Sequence, residues 1–66
     1  MIISDFTEPE LDLFRNKCNF VNYEKDLFEM RARGIPLEQI AEELDISSDY
    51  ARKLSQKVNK KILKIL

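Results

Sequence analysis

Arg52, Lys53, Lys57, Lys60, Lys61 and Lys64 crowd the last nineteen residues of a 66-residue chain, with Asp49 the one acid among them. On a helix turning roughly 100° per residue they fall, with Gln56, opposite Ala51, Leu54, Val58, Ile62 and Ile65. A cationic face backed by an apolar stripe is the chemistry of a polyanion contact. The Arg52 guanidinium could pair both acceptors of a guanine edge. Asp49 could accept from a cytosine amino group, and Gln56 could pair adenine. Lys57, Lys60, Lys61 and Lys64 lie further along, where phosphates are the natural partners, and the hydroxyls of Tyr50 and Ser55 could add hydrogen bonds to the same backbone.

The charge is concentrated. Residues 1 to 47 carry eleven acidic and five basic side chains, a balance of −6, whereas residues 48 to 66 stand at +5, so the chain nets −1. The total points away from nucleic acid, and the distribution points towards it. Other chemistries are poorly supplied. There is no His, and the single Cys18 has no neighbouring base, so neither a zinc site of nitrogen and sulfur ligands nor a thiol nucleophile can be assembled. One glycine does not make a phosphate loop, and the adjacent Ser47, Ser48 and Asp49 read as a helix cap, not a triad. The chain is therefore read as non-enzymatic, with no cofactor and no metal. Met1, Ile2 and Ile3 run at once into Ser4 and Asp5, unlike a secretory leader, and no apolar run approaches membrane-spanning length. A reduced, cytoplasmic protein without membrane contact is the expectation.

Such a face needs an element to hold it and neighbours to bury its back. With 66 residues, one Gly and two Pro, the chain has room for one all-α domain with short turns. Four helices are expected, over about 8–18, 22–33, 36–44 and 48–65. Thr7-Glu8-Pro9-Glu10 has the form of a capping box, and Leu11, Phe14 and Cys18 give the first helix its apolar side. The second helix starts at Asn22, or Val21, turns Leu27 and Met30 inward with Tyr23 and Phe28 as further candidates, and stops at Gly34. Pro36 opens the third, whose inner stripe is Leu37, Ile40, Ala41 and Leu44. Asp45 turns the chain sharply, Ile46 plugs the corner, and Ser47 caps a fourth helix running nearly to Leu66.

The third and fourth helices, joined by three residues and with small Ala41 midway along the third, have the pattern of a helix-turn-helix whose second helix enters the major groove. The run from Pro36 to Leu54, Pro-Leu-Glu-Gln-Ile-Ala-Glu-Glu-Leu-Asp-Ile-Ser-Ser-Asp-Tyr-Ala-Arg-Lys-Leu, resembles region 4 of bacterial sigma-70-type factors. It is also similar to LuxR-type DNA-binding domains. Over most of its length, with Asn19-Phe20, a short helix ending in Arg and then the helix-turn-helix, the chain resembles short regulators of Firmicutes and their phages. The sigma resemblance covers about residues 23 to 62. It implies a domain that reads a promoter element and touches RNA polymerase, with base-reading positions at Ser48, Asp49, Arg52 and Lys53 and a backbone position at Tyr50. The family often carries Arg where Ser48 and Tyr50 stand, and Gln where Lys53 stands, so the resemblance does not imply the sigma consensus site. Nor does the chain contain the preceding sigma regions.

The expected base-reading set is thus Ser48, Asp49, Arg52, Lys53 and Gln56, and the expected backbone set is Ser47, Tyr50, Ser55, Lys57, Lys60, Lys61 and Lys64. Asp49 also suits the positive end of the helix dipole. The tail Ile62-Leu63-Lys64-Ile65-Leu66 has two readings that can coexist: a helix end folded back on Leu11 and Phe14, or a homodimer seam through Ile62, Leu63, Ile65 and Leu66. The leading expectation is a sequence-specific regulator that binds double-stranded DNA, of phage or mobile-element character and acting as a dimer, because one such module touches few base pairs. The alternative is a sigma-like interaction module or decoy that docks on RNA polymerase or another regulator through acidic Glu38, Glu42 and Glu43. A weaker third reading is a purely structural oligomer driven by the apolar tail.

Overall fold

Several helix ends fall where the sequence supplies a partner for the orphan backbone groups. The computed structural model describes residues 2–66, which form a short 3-10 turn (Ile3–Asp5) and four α-helices: α1 (Glu8–Lys17), α2 (Tyr23–Ala32), α3 (Leu37–Leu44) and α4 (Ser48–Leu63). No strand occurs among the described residues. At the start of α1 the Glu10 carboxylate accepts the Thr7 backbone N–H at 2.8 Å and its hydroxyl at 3.0 Å. Helix α1 ends where Cys18 turns extended, its N–H still bonded to the Phe14 carbonyl at 2.8 Å.

Helices α2 and α3 stop by the same device. Gly34 at φ 82° donates to the Arg31 carbonyl, and Ile35 donates back to Met30. Asp45 at φ 57° donates to Glu42, and Ile46 donates back to Ala41. This is the paired closure of a helix end around one left-handed residue, with Ile35 and Ile46 folding over the end as the motif's apolar residue.

Several expectations shift. Asn22 precedes α2 at φ 52° but makes no side-chain cap. Glu24 closes that end instead, its carboxylate accepting the Val21 N–H at 3.3 Å and its own N–H bonding the Val21 carbonyl. Pro36 is the cap of α3, not its first helical residue, and its carbonyl receives Ile40. Helix α4 ends at Leu63, two residues short of expectation, and Ile65 and Leu66 both bond back to the Ile62 carbonyl.

Helix α4 packs along α2 and α3, and the N-terminal 3-10 turn lies on α2. The core between them is Leu11, Phe14, Leu27, Phe28, Ile40, Leu54, Val58 and Ile62, with Ile3 inserted from the N-terminal segment. Aromatic rings join the N-terminal half: Phe6 meets Phe14 edge-on at 4.9 Å, Phe14 meets Phe28 edge-on at 6.5 Å, and Phe20 stacks on Phe28 at 4.8 Å. Ala41 and Ala51 are both buried between α3 and α4, where larger side chains would force the helices apart. Tyr23 is exposed, not inward, and Phe28 is fully buried.

The tail divides. Ile62 is fully buried in the same cluster as Leu11 and Phe14, and Ile65 packs against that cluster. Ile62 therefore has no surface to offer a second copy, which corrects its place in the expected dimer seam. Leu63 and Leu66 remain 60% and 65% exposed.

Candidate nucleic-acid interface

Burial of Ala51, Leu54, Val58 and Ile62 fixes which way α4 faces. Helical geometry then places Asp49, Lys53, Gln56 and Lys60 on the ridge opposite the core, and all four are exposed. On one side of this ridge, contacts to α2 identify a flank of Tyr50, Lys57 and Lys61, continued by Lys64 beyond the helix. Tyr50 shares an open groove with Asn22, Tyr23 and Asp26, and Lys61 reaches Glu24. On the other side lies the α3 flank, where Ser48 and Arg52 border a shallow recess with Leu37 and Glu38. Half-buried Ser55 and Asn59 continue that flank. The expected residues thus sort into a ridge and two unlike flanks: lysines face the α2 side, and the guanidinium begins on the α3 side.

The first turn is ordered by short-range bonds. The Ser47 Oγ accepts the Tyr50 N–H at 3.1 Å, so Ser47 is the cap, as its position predicts. Asp49 makes no cap bond of its own. Its Oδ1 accepts from Arg52 Nη1 at 2.7 Å, and both side chains are exposed.

Lys61 behaves differently from the other lysines. Its Nζ donates to the Glu24 carboxylate and to the Asn19 carbonyl, both at 2.5 Å. Glu24 is only 5% exposed. Burial pushes its carboxyl upward, but the Lys61 ammonium, the Val21 N–H and the charge of Lys57 outweigh burial and hold it below its ordinary value. Lys61 is thus committed to the body of the protein, which weighs against its expected place in the phosphate row. Among the described residues Lys53, Lys57, Lys60 and Lys64 enter no ion pair, and all are exposed.

A second tie lay beyond the sequence reading. Arg15 on α1 donates to both Glu29 oxygens on α2, at 2.7 and 2.9 Å, with its guanidinium 5.8 Å from the centre of the Phe28 ring. The Glu29 bonds hold the guanidinium charged against the opposing effect of burial, and Asp12 adds to them. Residues 24 and 61, or 15 and 29, show no local pattern that would announce either pairing. Only the fold brings them together. Cys18 is buried, and burial raises its thiol despite the nearby charge of Lys61.

No family model matches the chain, and neither a curated protein nor a solved structure matches it. No helix among the described residues is long and apolar enough to cross a membrane.

Proposed function

We propose that this chain is a sequence-specific regulator that binds double-stranded DNA, with α3, the Asp45–Ser47 turn and α4 acting as a helix-turn-helix. The observation that carries the proposal is the exposed ridge of Asp49, Lys53, Gln56 and Lys60, flanked by Lys57 and Lys64, which enter no ion pair among the described residues, on an otherwise acidic protein. A major groove about 12 Å wide admits one helix. Asp49, Lys53 and Gln56 on the ridge are those that would face base edges, and Lys60 further along it, with the lysine flank, would meet phosphates. Tyr50, at the start of that flank, is placed to join it. Ser55 is half-buried and Ser47 is occupied as the cap, so both are weaker backbone candidates. A second copy, joined through exposed Leu63 and Leu66, would supply the second half-site that useful specificity needs.

Selection from random duplexes, followed by mobility-shift titration of the survivors, tests this reading. The expected result is an enriched motif whose binding weakens steeply between about 50 and 200 mM salt. Recovery of no preferred sequence would remove sequence reading.

A second reading has its own support. Helix α3 presents Glu38, Glu42 and Glu43 to solvent, beside the α4 flank that lacks lysines. An acidic face of this kind would dock on a basic surface of RNA polymerase or another regulator. Capture of polymerase that survives nuclease and is lost on reversing Glu42 and Glu43 would favour docking over DNA reading.

A further inference from the structure

Arg52 starts in an awkward place for a base reader. It lies about 70° around α4 from the centre of the exposed ridge, on the α3 flank, beside Leu37 and the carboxylate-bearing Glu38. Asp49 sits on the ridge itself, one turn earlier, and its Oδ1 takes Arg52 Nη1 at 2.7 Å. The pair therefore draws the guanidinium from the flank towards the ridge. Among the described residues only Nη1 is engaged, so Nε and Nη2 keep their N–H groups. That leaves a two-donor edge, which is what the O6 and N7 acceptors of guanine require. Asp49 Oδ2 takes no hydrogen bond from the described residues. The cap hydrogen bond belongs to Ser47, which leaves Asp49 with its charge at the positive end of the helix dipole and its bond to Arg52.

We propose that Asp49 and Arg52 form one reading unit: Asp49 is a positioning residue that presents Arg52 to a guanine, and its second oxygen accepts from the amino group of a neighbouring cytosine. This rests on the DNA-binding reading above. An exposed pair of this kind adds little to stability. Its effect is on which way the guanidinium points before DNA arrives, so that less side-chain freedom is lost on binding. Without Asp49, Arg52 is free to turn back towards Glu38 or into solvent.

The test uses the full chain, the duplex recovered by selection, and the same duplex with each base pair changed in turn, all at one salt concentration. For Asp49→Asn the preference for the guanine position is expected to fall about tenfold, while binding to unrelated duplex stays equal or tightens because a negative charge is gone. Asp49→Glu, which can still reach one turn along, should restore part of the preference. Arg52→Lys should lose as much as Asp49→Asn, and the double variant should lose no more than either single one. Thermal melting should move little in any of them, since neither side chain is buried or caps the helix; the one expected loss is the small attraction of the Asp49 charge to the positive end of the helix dipole in the Asp49→Asn variants. An Asp49→Asn variant that keeps the wild-type preference, or losses that simply add in the double variant, would overturn the reading unit and leave DNA binding intact. A wild-type chain that prefers no duplex overturns both.

Discussion

Lys61 on the last full turn of α4 is hydrogen-bonded to Glu24 on the first turn of α2, and the same ammonium holds the Asn19 carbonyl in the loop between α1 and α2. One cation thus ties the end of α4 to two neighbouring segments 42 and 37 residues earlier in the chain. Removing it strands a carboxylate that is only 5% exposed. Lys61→Met keeps the stem and deletes the charge, and should destabilise the fold by roughly 1–3 kcal/mol. Urea titration followed by circular dichroism measures this. A midpoint equal to wild type would show that Glu24 finds water instead.

The same pair predicts an acid limb. Glu24 has a folded-state pKa below its ordinary value. Its contribution is therefore complete above the ordinary glutamate range and is lost as pH falls through that range towards the folded value. Stability should rise with pH across this window. In Lys61→Met, desolvation acts on Glu24 without its main counter-charge, so this part of the slope should flatten or reverse. Melting temperatures of the two proteins across the acid range decide the point; parallel curves would assign the limb to other carboxylates.

The two left-handed helix ends predict opposite responses. A methyl group on Gly34 would meet no atom within 4 Å, so Gly34→Ala isolates the backbone term at φ 82° and should cost about 1–2 kcal/mol. Asp45 already carries that term at φ 57°, so Asp45→Gly should be neutral or slightly stabilising despite the added freedom of the unfolded chain. Thermal melts of both variants check the contrast.

The order and count of the helices were legible because several of their ends have a local signature. Thr7 with Glu10, Gly34, and Ser47 are such signals, and so is the apolar spacing from Ala51 to Ile62. That spacing also fixed which side of α4 is exposed, and with it most of the candidate interface. What could not be read depends on contacts distant in sequence. Ile3 is buried because α2 happens to accept it, Glu24 displaces Asn22 at the start of α2 because Lys61 is there to neutralise it, and Lys61 leaves the phosphate row for the same reason. The tail was ambiguous because a single helical stripe cannot say where one apolar face ends. Tertiary packing takes Ile62 and most of Ile65, and leaves Leu63 and Leu66 outside.

This division of the tail separates stability from assembly. Ile62→Ala opens a cavity in the core and should cost roughly 2–5 kcal/mol. Leu63→Lys with Leu66→Lys touches only exposed positions and should leave the melting temperature of the monomer nearly unchanged. If a second copy docks there, the double substitution lowers the mass seen by light scattering from dimer to monomer. A wild-type chain that is monomeric at high concentration would leave the two leucines without that role.

If the chain binds DNA as proposed, its lysines should contribute unequally. Lys60 stands on the exposed ridge and Lys57 on the flank, both without ion pairs among the described residues, whereas Lys61 is bound internally. If Lys60 and Lys57 each meet a phosphate, each alanine substitution should weaken binding to all duplexes alike and reduce the salt slope by about 0.9. Arg52→Ala should act differently, lowering affinity for the selected site by roughly 1–3 kcal/mol and relaxing one base position, with little change on unrelated DNA. Lys61→Met, assayed below its melting transition, should leave the salt slope where it was. Titrations at several salt concentrations on selected and scrambled duplexes read all four. Equal slopes for Lys57→Ala, Lys60→Ala and wild type would show that the lysine flank is merely solvated. A lowered slope for Lys61→Met would show that its ammonium leaves Glu24 when DNA binds.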